Sequence, residues 1–427
     1  MTEHQKKRGN SFERKQKKES VIHGVISTTG KGLGFVSNDK EPETEDILIE
    51  SAFLHTALNG DEVEIKLLPK SKDFRQTGEV VKVVSRAKMA FVGTLQKSDN
   101  AYFLIPDDKK MYVDISIAEA GLQGAIDGDK VHVKITSWDK KERMPRGEVM
   151  KVLGKKGEHL VEMESIIIEK GIDQDFPEEV INEAEEVEKR EKPLPKDEIA
   201  RRRDMRGVTT YTIDPKDAKD FDDALSIETV ATGAYKGMYE IGVHIADVSH
   251  YVREKTSLDA EARKRGFSVY LVDRTIPMLP EVLSNDLCSL NPGADKFAFS
   301  ALFIIDKNAK IHTRWFGRTV INSKKRFAYE DAQDVLNAGS GEHFENLNTF
   351  NVLAKKLRTE KMKKGAIDFE QDEVKFVLDE KGKPIKVIKK QRLDTHKLVE
   401  EFMLLANREV AEFIFKAPGA KKAISLY

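Results

Sequence analysis

Two stretches of this chain repeat each other at a fixed distance, and that repeat limits its architecture more than any other feature. Gly24-Val25-Ile26 returns as Gly93-Thr94-Leu95, NGDEVEIKL (59–67) as DGDKVHVKI (127–135), and GEVVKVVSR (78–86) as GEVMKVLGK (147–155). The offsets are 69, 68 and 69 residues, and two copies make a tandem domain pair rather than a solenoid. Each copy alternates apolar residues (Val63, Ile65, Leu67; Val131, Val133, Ile135) after an Asn-Gly or Asp-Gly turn, which is strand and hairpin chemistry. About seventy residues with roughly five short strands suit a small closed barrel, which leaves no sheet edge exposed.

The pair does not exhaust the chain. At 427 residues, several domains are expected rather than one core. Residues 1–20 carry seven Lys/Arg against three Glu with Phe12 as the bulky apolar group, so they read as a disordered basic arm. Past the repeat, EEVINEAEEVEKREK is charged without a strong apolar stripe, and PLPKDEIARRRDMRG adds a proline stop; 155–207 reads as a linker with surface helices. From 208 onward VTTYTID, ALSIE, MYEIGVHIADV, FAFSALFIID and VKFVLDE read as strands. Residues 394–416 read as a long amphipathic helix capped by Asp394 or Thr395.

The net charge of −1 conceals 72 basic and 73 acidic residues, so a polyanion would be met by a local stripe rather than by the whole surface. A single cysteine, Cys288, allows no intramolecular disulfide and no cysteine-based zinc site. The basic N-terminus has no apolar run of a secretory signal, and FAFSALFII (297–305) is half a membrane span at best. A cytoplasmic protein without membrane partners is expected.

The chemistry concentrates in TIDPKDAKDFDDALSIE (212–228), where Asp214, Asp217, Asp220, Asp222, Asp223 and Glu228 face only Lys216 and Lys219. In an extended segment Asp220 and Asp222 share one side. Asp223 follows, and a loop folding back would bring Asp214 to them. Converging carboxylates raise one another's pKa unless a cation relieves them, and hard oxygen donors suit Mg²⁺. The spacing fails the EF-hand template from every starting aspartate. A solvated acidic turn is the plain alternative. In the first repeat, GKGLGFV (30–36) places Phe35 among glycines and near Lys31, a flat face on which a base can stack. Packing of Phe35 into the barrel is the other reading. Tyr102 and Phe103 hold a similar place in the second copy.

The acidic stretch resembles the signature of the ribonuclease II/ribonuclease R family. VHIADVSHYV (243–252), SVYL (268–271), IPMLPEVLSNDLCSLNP (276–292) and LVEEFMLLAN (398–407) extend the match. The first copy, with its GKGLGFV stretch, is itself similar to cold-shock domains, which favours the stacking role for Phe35; the second copy lacks the glycine-rich lead. The resemblance implies two small OB-fold, cold-shock-like barrels (21–86 and 87–154) ahead of an incomplete α+β catalytic domain (208–427). It implies a processive 3′→5′ exoribonuclease that uses Mg²⁺ to release nucleoside 5′-monophosphates. Asp214, Asp220, Asp222 and Asp223 match the four aspartates that bind the metal and organise water, with Asp217 a bystander. Tyr270 matches the tyrosine that stacks on the terminal base, and Phe369 the aromatic that closes the stack. Tyr329 and Glu400 match residues that hold the last nucleotide and its ribose, with Glu401 the polar edge of its helix. His244 and Asp247 are expected to be structural or path-lining, and Cys288 buried. Partners would be single-stranded RNA, fed by the barrels, and the RNA-degradation machinery, with the protein acting as a monomer. In the family an arginine-bearing segment and an S1 barrel follow, so the resemblance implies a truncated chain. An RNA-binding or chaperone module without hydrolysis is the alternative, against which four phosphate-repelling carboxylates argue.

Overall fold

The computed structural model describes residues 21–37, 45–69, 75–99, 101–367, 373–380 and 382–417. Two compact units divide the chain, Met1–Gln174 and Asp175–Tyr427.

In the first unit each repeat closes into a barrel. The first comprises β1 (Val21–Thr28), β2 (Gly34–Val36), β3 (Ile47–Ile49), the short helix α1 (Ser51–Leu54), β4 (Glu62–Leu67) and β5 (Thr77–Ser85). The second comprises β6 (Ala90–Ser98), β7 (Ala101–Pro106), β8 (Ile115–Ile117), β9 (Asp129–Ser137) and β10 (Arg146–Lys155). Strand orders are β1-β2-β3-β5-β4 and β10-β8-β7-β6-β9, one cycle in both copies once β1 is equated with β6. The third and fifth strands of each pair in parallel, closing the ring. Alternation decides what faces inward: Val63 and Ile65 are buried with Ile26, Val36 and Ile49, as Val131 and Val133 are with Leu95, Leu104 and Val149. The turns before β4 and β9 need a backbone that only glycine adopts freely, and Gly60 and Gly128 take φ of 86° and 88°.

The two barrels share side chains. Leu58 belongs to the core of the second barrel, and Tyr112 packs against the core of the first while its hydroxyl donates to the Ala57 carbonyl at 2.8 Å. Helix α2 (His159–Glu169) buries Val161, Met163 and Ile167, and its Glu169 accepts from the Val92 amide at 2.9 Å. Part of the segment read as a linker thus packs onto the second barrel.

The second unit starts with α3 (Glu178–Glu191) and α4 (Lys196–Ala200). There follow β11 (Arg203–Asp204), β12 (Thr210–Asp214), β13 (Asp223–Thr229), β14 (Tyr239–Ala246), α5 (Val248–Tyr251), α6 (Ser257–Arg265) and the hairpin β15 (Val269–Tyr270) with β16 (Thr275–Ile276). Next come β17 (Asp295–Ile305), β18 (Ile311–Asn322), β19 (Lys325–Ala328), α7 (Tyr329–Ala338) and α8 (Phe344–Lys363). The hairpin β20 (Val374–Leu378) with β21 (Pro384–Lys389) and the helix α9 (Asp394–Lys416) complete it. Among the described residues, seven strands form one sheet in the order β11-β18-β17-β14-β13-β12-β19. One core joins Ile213, Leu225, Ile241 and Phe303 to Leu347, Phe350, Leu398 and Phe402 of α8 and α9. A second joins Phe221, Ala246, Phe297 and Val320 to Val180, Val187, Leu283 and Cys288. A strand buried on both sides reads as a continuous apolar run, which is why FAFSALFII looks as it does.

Three sequence expectations need correction. Helix α3 does carry an apolar stripe, Val180, Ala184 and Val187, too narrow to stand out among its charges. Neither Asp394 nor Thr395 caps α9: Leu393 starts it, its amide donating to His396 Nδ1 at 3.2 Å, while Thr395 Oγ1 donates to the Tyr329 carbonyl at 2.9 Å. Asp394 pairs instead with Lys355 at 2.7 Å. Glu401 is not a polar edge. It is 3% exposed and paired with Lys361 at 2.6 Å and Arg358 at 3.6 Å. Among the described residues, no helix is long and apolar enough to cross a membrane.

Candidate functional site

The acidic stretch is the connection between antiparallel neighbours. Strand β12 ends at Asp214 and β13 begins at Asp223, with Tyr211 opposite Leu225 behind them. The connection first turns, the Ala218 amide donating to the Pro215 carbonyl at 3.1 Å, with Asp217 exposed in the turn. It then runs extended. Phe221 is buried, so Asp220 and Asp222 on either side of it emerge on the opposite side. The motif NDLCSLNP fixes this run: Ser289 Oγ accepts from the Phe221 amide at 2.9 Å, and the Leu290 amide donates to the Phe221 carbonyl at 2.8 Å. The Ala246 amide, from VHIADV, donates to the Asp222 carbonyl at 2.9 Å. Two stretches distant in sequence therefore act as the mould of the loop.

The charges form a chain of neighbours. Burial, then Asp223, pushes Asp214 up to about 7, with the Thr212 hydroxyl and then Arg326 opposing. Burial and Asp222 push Asp223 up to about 6. Asp222, more exposed, moves in the same direction through desolvation against the surrounding protein and the charge of Asp220. Asp214 Oδ2 is buried without a hydrogen-bond partner. A tyrosine stands at each end of the chain. Tyr270 donates its hydroxyl to Asp220 Oδ2 at 2.8 Å, and its phenol is pushed up to about 12 by desolvation, then by Asp220 and Asp222. Tyr329 opens α7 directly after Ala328, which pairs with Asp214 across β12 and β19. Desolvation, then Asp223 and Asp214, raise its phenol to about 12. Its ring stacks on His396 at 4.0 Å between centroids.

The structure thus joins Asp214, Asp220, Asp222 and Asp223 to Tyr270 and Tyr329. Glu400 lies on α9, where it is paired with Arg392. Phe369 lies outside the described residues. Phe35 belongs to the other unit, on the outer face of β2: its neighbours Gly34 and Val36 are buried while it is half-buried beneath the Arg75 guanidinium at 5.2 Å. His244 is buried between Ser300 Oγ at 2.6 Å and Ser226 Oγ at 2.8 Å, and burial drives its pKa down to about 3, so it is a neutral core residue. Asp247 pairs with Arg202 at 2.8 Å, both side chains fully buried. Sequence reasoning missed Ser289, whose hydroxyl holds the loop, and Arg326, whose guanidinium reaches the loop carbonyls. An arginine that directly follows Lys324 and Lys325 in a short strand gives no signal of its contact with the loop carbonyls.

The donor set is compatible with a hard divalent cation. All four candidates are carboxylates, and a buried unpartnered oxygen on a carboxyl of raised pKa calls for a positive charge. Among the described residues, no three His, Cys, Asp or Glu converge as a ready ligand shell. A cation here would rest on one or two carboxylates and keep oxygen positions for water and phosphate, which is how Mg²⁺ is usually held.

Comparison with known proteins agrees with the fold, two small barrels followed by a larger domain. The RNB domain family matches residues 202–423, the Cold shock domain family residues 103–177, and the Ribonuclease B OB domain family residues 24–83. Ribonuclease R of Thermotoga maritima is 38% identical over 411 residues, covering 94% of this chain and 56% of that protein. Ribonuclease R of Mycoplasma genitalium, solved with ribose-methylated single-stranded RNA, superposes with a TM-score of 0.82 at 26% identity, over 92% of this chain and 62% of that one. Yeast Ssd1, a pseudonuclease, shares the fold at 20% identity with a TM-score of 0.66, over 93% of this chain and 55% of that one. The chain spans little more than half the length of these relatives.

Proposed function

Since the chain belongs to the RNB-domain family, we propose that it serves a 3′→5′ exoribonuclease that hydrolyses single-stranded RNA with Mg²⁺ and releases nucleoside 5′-monophosphates. The observation that carries this reading is the acidic connection itself, four aspartates of which three, Asp214, Asp222 and Asp223, hold protons more tightly through burial and neighbouring carboxylates. Such a set stores electrostatic strain that a cation and a scissile phosphate would relieve.

Asp214, Asp220, Asp222 and Asp223 would hold the metal between them, one or two directly and the others through its water. When bound, Mg²⁺ would lower the pKa of a water and neutralise charge developing on the phosphate. The protein's own share is positioning. Phe221, locked by Ser289 and Leu290, aims Asp220 and Asp222 outward. The exposed ring of Tyr270 offers a stacking face for the terminal base within reach of Asp220. Tyr329 flanks the opposite end, beside Asp214 and Asp223. Glu400 would accept from a ribose 2′-hydroxyl, separating RNA from DNA, once freed from Arg392. On the barrels, Phe35 with Arg75 forms an aromatic and cationic surface suited to a single strand.

A second reading draws on one observation. The carboxylates do not form a ready three-ligand shell among the described residues. An RNA-binding module without hydrolysis would need none. Incubation with labelled RNA separates the two: 5′-monophosphates formed with Mg²⁺ and suppressed by EDTA support the exoribonuclease, and binding without any product supports the module.

A further inference from the structure

We propose that Arg326 is the positioning residue that shapes the acidic connection and thereby makes Asp214, Asp220, Asp222 and Asp223 competent to hold a cation; this rests on the reading just given. Arg326 lies on β19, which runs parallel to β12 with Thr212 opposite Arg326 and Asp214 opposite Ala328. Its side chain reaches the loop that leaves β12. Nη2 donates to the carbonyls of Pro215 at 2.8 Å, Lys216 at 2.7 Å and, more weakly, Ala218 at 3.5 Å. The Cζ of the same guanidinium sits over the Phe221 ring, 5.0 Å from its centroid. One side chain therefore touches the connection at its start, middle and end.

The division of labour is clear from the other anchors. Ser289, Leu290 and Ala246 hold residues 219–222. Among the described residues, the side chain that holds 215–218 from outside is that of Arg326. These are the residues that decide how far Asp214, at the end of β12, lies from Asp220 and Asp222. Drawing their carbonyls toward one cation also turns those dipoles away from the carboxylates. The positive charge further offsets part of the repulsion that Asp214 meets from Asp223 and Asp222. Lysine would keep the positive charge, but its point-like ammonium could not donate to these carbonyls while a second part of a delocalised cation lies over the Phe221 ring. The Arg326 Nε is buried without a partner, so the contacts that fix this side chain are those to the loop and to Phe221.

The bland alternative is that Arg326 merely packs on Phe221. The two differ in what a substitution does to cation affinity. The test uses the full chain with Arg326→Lys and Arg326→Gln. Mn²⁺ binding is measured by electron paramagnetic resonance without RNA, RNA cleavage is titrated with Mg²⁺, and hydrogen exchange is followed across 215–222. Removing residues that orient metal ligands typically weakens metal affinity or activity by about 10–100-fold. We expect a loss of that size in Mn²⁺ affinity for Arg326→Gln and a partial recovery in Arg326→Lys. The Mg²⁺ needed for half-maximal cleavage should rise in parallel, with KM for RNA changed by no more than about twofold, since no base contact is removed. If Arg326→Gln does not fold, Arg326→Lys must show faster exchange at 215–218 together with weaker Mn²⁺ binding. Folded variants with wild-type Mn²⁺ affinity would overturn the proposal, as would an effect on KM alone. A wild-type chain that binds no Mn²⁺ and cleaves no RNA would instead remove the exoribonuclease reading.

Discussion

Asp214→Asn should make the metal-free protein more stable toward alkaline pH while removing its catalysis. Asp214 is 7% exposed, its Oδ2 has no hydrogen-bond partner, and its pKa is pushed from 3.8 to about 7, chiefly by burial. The folded-state value lies above the unfolded one, so the folded protein binds the extra proton between them. Stability is therefore intact below about pH 4, falls as pH rises through about 4 to 7, and stays lowered above that. At about 1.4 kcal/mol per pKa unit, a shift of about three units corresponds to about 4 kcal/mol at pH 8 but only about 1.7 kcal/mol at pH 5. Wild type should thus lose about 2–3 kcal/mol between the two, through this group alone. Asparagine does not titrate. Its amide, short of partners, costs about 1–3 kcal/mol, but equally at both pH values, so that cost drops out of the difference. Relief of Asp223, the charged neighbour of Asp214, adds in the same direction.

The assay is urea unfolding in EDTA at about pH 5 and pH 8, the two values used in that linkage calculation. The chain has two tryptophans, Trp138 in the first unit and Trp315 in the second, so a Trp138→Phe background lets Trp315 report on the unit that holds Asp214. The variant should gain about 2–3 kcal/mol on wild type between the two pH values. A gap that stays constant within about 0.5 kcal/mol would refute the buried, unrelieved carboxylate. Mg²⁺ should stabilise wild type at pH 8 and leave the variant nearly unchanged.

Other consequences can be measured separately. Tyr270→Ala should weaken RNA binding by the ~1–3 kcal/mol of a stacked base, whereas Tyr270→Phe keeps the ring and should change affinity by less than about 0.5 kcal/mol while slowing turnover; equal losses in both would contradict the stacking role. Phe35→Ala should reduce affinity by a similar ~1–3 kcal/mol without altering the slope of affinity against salt, which reports phosphate contacts. Arg202→Ala leaves Asp247 charged and buried, and should cost about 3–5 kcal/mol in urea unfolding of the second unit; a loss under about 1 kcal/mol would show that the pair is not the anchor its burial implies.

What the sequence displayed and what it hid follow from how far each contact reaches along the chain. The barrels were legible because their determinants are local: alternation in EVEIKL and KVHVKI, and glycines at 60 and 128 in turns. The acidic connection was legible because its residues are contiguous and Phe221 enforces the alternation of Asp220 and Asp222. Helix α9 matched its expected span, 394–416, since Leu398, Phe402 and Leu405 mark a long apolar face. Its start did not, because Thr395 is drawn to the Tyr329 carbonyl, 66 residues away in sequence. Glu401 looked like surface because the Lys361 that neutralises it belongs to another helix. Strand β18 pairs with β17 along most of its length, although Arg314, Arg318 and His312 interrupt its apolar pattern. Arg326 shows the limit most plainly. Its partners are backbone carbonyls more than a hundred positions upstream, and carbonyls leave no mark in a sequence.

The most direct test of the account is cleavage of a 5′-labelled single-stranded RNA in Mg²⁺, comparing wild type with Asp222→Asn. The account predicts stepwise shortening from the 3′ end in wild type. In the variant it predicts retained RNA binding with hydrolysis reduced by orders of magnitude. Unchanged cleavage by Asp222→Asn would contradict the assignment of the acidic connection as the catalytic centre.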